Sequence, residues 1–269
     1  MKLIRELRMG APKCGKTVAV LGTYPKPMLV FQFDTDGCDV IPATLPAAPN
    51  PKRITLDVTY KEIIKIKPEE FASWCAKPAS ELPKILVVDF AQSVRRQMTD
   101  QFTPVPDAAP YTKFYKCVNT LVATKEIHWK TYVLDTCTTL IDSLKSFVSA
   151  NNTSWLQDAR KWSPAVGGKV LQHIAVLNSL PLHCVYLAHS QQDKNETTGE
   201  IKESPLGPGG FAAQVGSLVS QFLYATNESG TLQVWTSPKG NVKSIGCRWP
   251  SDLPQVCSAD FKTIYGKEL

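Results

Sequence analysis

Four apolar runs constrain the fold of this chain more than any other feature. They are MLVFQF (28–33), KILVVDF (84–90), TYVLDT (131–136) and LHCVYLAHS (182–190). A strand with one wet face alternates apolar and polar residues. Runs of consecutive apolar residues are instead the pattern of strands covered on both faces, as in a parallel sheet. Helical stretches lie between them, namely KTVAVLGTY after Gly15, PEEFASWCA, YTKFYKCVNTLVATK, LIDSLKSFV and KVLQHIAVLNSL. Strands alternating with helices over at least 190 residues predict an α/β fold, a mostly parallel central sheet flanked by helices.

The remaining segments read as follows. KLIREL and the approach to Gly10 form a first strand, and ITLDV (54–58) is a further strand. Residues 41–54 are a proline-rich loop, and 192–210 are polar and rich in glycine and proline, a mobile loop. LQVWTSP and VKSIGCRW are expected to pair as a short C-terminal antiparallel hairpin around PKGN. There is no internal repeat, and a chain of 269 residues is read as one domain, 1–269, with 38–110 a divergent insert region.

Composition narrows the class further. The apolar fraction of 43% supplies a core, and a net charge of +6 permits a phosphate-rich partner without requiring one. Eight cysteines lie singly, with no zinc-type spacing, which points to a reducing compartment. MKLIRELRMG is too charged for a signal peptide and no run approaches a membrane span, so a cytoplasmic protein without membrane contact is expected.

The strand-to-helix junction at the start of the chain carries the strongest chemical signal. Gly10, Ala11, Pro12, Lys13, Cys14, Gly15, Lys16 and Thr17 fit GxxxxGK[ST] at every fixed position. Small turning residues let successive backbone amides face a phosphate. Lys16 then reaches the β- and γ-phosphates, and the Thr17 hydroxyl holds Mg²⁺. The cofactors expected are therefore ATP and Mg²⁺.

Such a loop needs a carboxylate on a neighbouring strand tip. Asp135 and Asp89 both end apolar strands, and the hydroxyl-rich DTCTT favours Asp135 over the DFAQS that follows from Asp89. Asp34 and Asp36, in FDTDG, also sit at a strand end, with Asp36 the candidate to activate water and Asp34 structural or metal-facing. An Asp-Gly turn is the alternative there. His189 and Gln191, after the strand VYLA, are placed to sense a γ-phosphate. Lys239, Lys243 and Arg248 are candidates for a basic residue presented to a neighbour's nucleotide, or a solvated basic face. Lys194 and Lys202, with Arg160 and Lys161 in DARKW, are candidate contacts to nucleic acid. The tryptophans 155, 162, 235 and 249 are either stacking platforms or packing residues.

The order of GxxxxGKT at 10–17, FDTDG at 33–37, YVLDT at 132–136 and VYLAH at 185–189 resembles the RecA/Rad51-like core of P-loop ATPases. More narrowly, it resembles the phage-encoded AAA-type nucleotide-binding proteins of the single-strand annealing and recombination type. GPGGFAAQVGSLVSQFLYA and VWTSPKGNVKSIGCR look like the tail of that family. The resemblance implies a RecA-like P-loop fold and an ATPase that couples nucleotide state to single-stranded DNA. It also implies a ring or filament of identical subunits, a single-stranded-DNA-binding protein as a possible partner, and a host cytoplasmic location.

By the same resemblance Asp36 matches the water-activating carboxylate and Asp135 the Walker B aspartate. The region of His189 to Gln192 matches the switch to the DNA-contacting loop. The family's usual residue at position 36 is glutamate, so the shorter aspartate implies slow hydrolysis. Two rival readings stand beside the ATPase: a nucleotide-gated binding or scaffold protein that does not hydrolyse, and a P-loop kinase whose lid would use Arg95, Arg96, Arg160 and Lys161.

Overall fold

In the computed structural model the chain is described at residues 2–34, 37, 41, 54–91, 108–152, 158–194, 196–199, 201–208, 210–250 and 252–266. The first strand, β1 (Arg5–Gly10), runs through the loop into α1 (Lys16–Thr23) and then β2 (Met28–Gln32). There follow β3 (Ile63–Ile66), α2 (Phe71–Cys75), β4 (Ile85–Asp89), α3 (Ala109–Ala123) and β5 (Thr131–Asp135). Next come α4 (Cys137–Asn151), α5 (Ala159–Asn178), β6 (His183–Lys194), β7 (Ile201–Pro205) and α6 (Phe211–Leu218). The chain ends in β8 (Gln221–Glu228), β9 (Thr231–Trp235), β10 (Gly246–Cys247), β11 (Val256–Ser258) and α7 (Phe261–Tyr265).

The strands form one sheet in the order β11-β9-β8-β1-β6-β5-β2-β4-β3, with β10 beside β8 and β7 beside β6. From β8 to β3 every neighbouring pair is parallel. The apolar runs are uninterrupted because each strand feeds two cores. Leu29, Phe31, Leu86, Val88, Tyr132 and Leu134 pack under α2 to α6, on the face where Phe31 meets the Phe71, Phe90, Phe114 and Tyr132 rings. Met28, Val30, Ile85, Val87, Val133 and Val185 face the other way, under α1 and α7. Strand alternation is thus present but hidden, since both faces are dry.

Three expectations are corrected. ITLDV does not join the sheet. It lies across α1, where Asp57 N–H bonds the Gly22 carbonyl (2.9 Å), Val58 is buried, and Leu56 sits where a side chain on Gly22 would be. The strand of that region is instead Ile63–Ile66, at the sheet edge.

The second correction concerns 192–210. That stretch is not a loop throughout, because β6 continues to Lys194 and β7 pairs with it antiparallel from Ser190↔Pro205 to Lys194↔Ile201.

The third concerns the C-terminal antiparallel hairpin, which exists but is formed by β8 and β9 around Ser229 and Gly230. Both of those residues are left-handed (φ 52° and 85°), as a two-residue turn of this kind demands. PKGN closes a single bridge, Lys239↔Val242, while its flanks pair elsewhere: β9 with β8 and β11, β10 with β8.

Candidate phosphate-binding site

The loop 10–17 leaves the C-terminal end of β1 between two neighbours, β6 and β8. Its shape is forced at two glycines. A side chain on Gly10 would meet the Ala225 carbonyl of β8 at 2.5 Å, and one on Gly15 would strike Leu232 at 2.3 Å. Gly15 (φ 88°) and Lys13 (φ 62°) are both left-handed. Left-handed residues at these positions turn backbone N–H groups toward one concavity. Among the described residues no side chain caps the start of α1, whose N-cap is Gly15, and an uncapped helix start is the kind of place that receives an anion.

Lys16 is almost fully buried, and its ammonium donates to the Gly10 and Ala11 carbonyls (2.9 and 2.8 Å), with Cys14 Sγ at 3.6 Å. Burial pulls its pKa down, opposed by Cys14 and by the carboxylates of Asp135 and Asp34. Thr17 Oγ1 donates to Asp135 Oδ2 at 3.1 Å across the sheet, although 118 positions separate them in sequence. Asp135 has no exposed surface, and burial, then the charge of Asp34, push its carboxyl up to about 7. Its Oδ1 is buried with no hydrogen-bond partner among the described residues. A side chain on Gly37 would come within 2.4 Å of Asp135 Oδ2, so only a glycine fits against the carboxylate there.

Lys16, Thr17, Gly37 and Asp135 line a cavity of about 460 Å³ together with Pro12, Asp34 and His189. His189 pairs with Gly10 across the β1–β6 ladder, and its N–H donates to Thr138 Oγ1 (3.0 Å), while the Thr136 hydroxyl caps α4 by accepting from Thr139 N–H (3.2 Å). Burial and the nearby Lys16 lower the imidazole's pKa. Gln191 is not part of this cavity: its amide bonds Asp193 two residues along β6 (3.2 Å). Asp89 is separated from Asp135 by β2 and accepts from Ala91 N–H (2.9 Å), a strand-end turn. Asp36 lies outside the described residues, as do Arg95, Arg96 and Trp155.

The remaining candidates are spread over the surface. Lys194 and Lys202 line a depression of about 400 Å³ with Ser204, Ala212, Ala213 and Ser244. Arg160 is exposed at the start of α5, and both it and Lys161 pair with Asp158 (3.1 and 3.9 Å). Lys239 lies 3.7 Å from the Trp235 ring centre and 3.7 Å from Glu228. Arg248 is exposed at the opposite end of the sheet from the loop, its N–H on the Ser220 carbonyl (2.8 Å). The indoles of Trp162, Trp235 and Trp249 each have a lysine over the ring, so these three serve as packing surfaces.

The donors fit Mg²⁺. A hydroxyl and a carboxylate are hard oxygen ligands, and this ion commonly takes one or two carboxylates and completes its shell with phosphates and water. The unpartnered Oδ1 of Asp135 is the group that such an ion would satisfy. No cluster of three or more histidine, cysteine or acidic side chains occurs among the described residues, and the seven described cysteines are free thiols. No described helix is long and apolar enough to cross a membrane.

No protein-family profile matches the sequence, and a search of curated proteins returned no significant match.

Proposed function

We propose that the protein is a P-loop ATPase of the RecA-like type. It binds ATP with Mg²⁺, hydrolyses it, and couples its nucleotide state to single-stranded DNA. The observation that carries this reading is the Thr17–Asp135 hydrogen bond beneath a GxxxxGKT loop, with one oxygen of the buried carboxylate left over. A decorative glycine turn has no need of a buried aspartate at that spot.

In the proposed mechanism the loop amides receive the β-phosphate, and Lys16 transfers its ammonium from the Gly10 and Ala11 carbonyls to phosphate oxygens. Thr17 and Asp135 would hold Mg²⁺, which neutralises charge between the β- and γ-phosphates when bound. Asp36 would activate the attacking water, with Asp34, on the cavity wall, structural or metal-facing. His189 faces the terminal phosphate. Its strand runs on into the β6–β7 hairpin that carries Lys194 and Lys202, the stretch offered here to single-stranded DNA. Lys243 and Arg248 are exposed and would reach a neighbouring copy in a ring or filament.

A nucleotide-gated protein that does not hydrolyse is favoured by one observation. The described carboxylates lining the cavity, Asp34 and Asp135, are both short aspartates.

Calorimetric titration of ATP with and without Mg²⁺ tests the binding half. Wild type should bind, Lys16→Ala should lose most of the affinity, and Asp135→Asn should lose the Mg²⁺ dependence. Equal binding by wild type and Lys16→Ala would sink the reading.

A further inference from the structure

The loop 10–17 separates two spaces of different character. The inner cavity holds Lys16, Thr17, Asp34, Asp135 and His189, the groups suited to a metal and a terminal phosphate. On the outer flank an open cleft of about 590 Å³ lies between loop residues 11–14 and the β8–β9 turn, residues 224–230. The two spaces share Pro12 and Lys13 as lining, so a triphosphate with its metal end fixed inside has the outer cleft directly across the loop for its other end.

The cleft is suited to a neutral, partly polar group. One of its lining residues, Thr226, has a buried hydroxyl with no hydrogen-bond partner among the described residues. Its floor is held in place because Ala225 packs against Gly10 and Asn227 Oδ1 accepts from Gly230 N–H (3.0 Å).

Tyr224 connects this cleft to a distant element. It lines the cleft from β8, level with Met9 of β1, and its hydroxyl donates to Glu203 Oε1 of β7 at 2.8 Å. The same carboxylate oxygen accepts from Ser190 Oγ at 2.6 Å, and Leu206 N–H bonds the His189 carbonyl at 2.8 Å. The root of the β6–β7 hairpin is therefore tied at one point to the cleft wall. Burial, and then the Glu203 charge, raise the phenol's pKa, so Tyr224 stays a donor.

We propose that the outer cleft takes the nucleoside half of the bound nucleotide, and that Tyr224 is a positioning residue that passes its occupancy to the β6–β7 hairpin through Glu203. This rests on the nucleotide-binding reading above and adds the base-side subsite and the route out of it. The hairpin then answers to the nucleoside in the cleft in addition to the terminal phosphate near His189.

The test is amide hydrogen exchange across 190–194 and 201–205, measured with ATP and Mg²⁺, with inorganic triphosphate and Mg²⁺, and with neither. Binding is titrated in parallel. In wild type, ATP should change exchange of the hairpin by about fivefold or more beyond the change that triphosphate produces, the lower range of ordinary coupling. Glu203→Ala should bind ATP as wild type does and lose this additional hairpin response, so that ATP and triphosphate act alike. Glu203→Gln keeps an acceptor for Ser190 and Tyr224 and should retain the response. Tyr224→Ala should weaken ATP and leave triphosphate binding unchanged. A hairpin response in Glu203→Ala equal to wild type, or ATP binding untouched by Tyr224→Ala, overturns the inference and leaves the phosphate site standing. Failure of wild type to bind either ATP or triphosphate overturns the nucleotide reading itself.

Discussion

Glu6 and Arg8 project from β1 onto the side of the sheet that carries α1 and α7, and neither has any exposed surface. Each guanidinium nitrogen has a partner: Nε on Glu6 (2.7 Å), Nη1 on the Ala259 carbonyl (3.0 Å) and Nη2 on the Tyr24 hydroxyl (2.6 Å). The carboxylate also accepts from Tyr24 and from Tyr265 of α7 (2.6 Å). This network ties the strand before the glycine-rich loop to the helix after it and to the C-terminal segment. Breaking one partner of a buried pair leaves the other charge without compensation, which typically costs about 3–5 kcal/mol. Glu6→Ala should therefore lower unfolding free energy in urea by that order, whereas Tyr265→Phe, which deletes one hydrogen bond, should cost about 1 kcal/mol. Equal, small effects of both would show that the network is dispensable.

At the scale of elements, capping and covering decide where the chain stops and turns. Arg5 closes the C-terminal end of α5: its guanidinium donates to the Asn178 carbonyl (3.0 and 2.6 Å) and the Leu180 carbonyl (2.8 Å), and also reaches Leu182. A cation on the last carbonyls of a helix satisfies orphan acceptors and complements the dipole. Arg5→Ala should destabilise by about 1–3 kcal/mol, the cost of unpairing buried acceptors, and Arg5→Lys should recover only part of it. Full recovery by lysine would mean that charge alone matters.

The parallel core was legible in the sequence because its runs are apolar on consecutive positions, as in Met28–Gln32 and Ile85–Asp89. ITLDV was misleading because its alternating pattern is satisfied by α1 on one side and water on the other, which a period of two cannot tell from sheet pairing. The β6–β7 hairpin was hidden by its polar composition, since it stands clear of both cores. The β8–β9 turn did leave a signal, the Ser-Gly pair at 229–230, which the neighbouring PKGN outweighed.

For the whole molecule, the sequence placed the loop and Asp135 at two strand ends, while their 3.1 Å approach depends on the strand order, with β6 between β1 and β5. Tyr224 and Glu203 carry no motif and become visible only in three dimensions.

Global stability should also depend on pH through two buried imidazoles. Burial, with Lys169 near His173 and Arg5 near His183, lowers each pKa to about 4. The unfolded chain protonates both near 6.5, so stability is fully present above that pH. It declines as pH falls toward 4, by up to about 1.4 kcal/mol per pH unit for each histidine. His173→Gln should make that decline shallower in urea titrations at pH 7, 6 and 5, and an unchanged slope would contradict the assignment.

The most direct test of the central claim is steady-state phosphate release from ATP and Mg²⁺, with and without single-stranded DNA, in wild type, Lys16→Ala and Asp135→Ala. The account predicts release in wild type that DNA stimulates and that both substitutions abolish. Release no faster in wild type than in Lys16→Ala under either condition would contradict it.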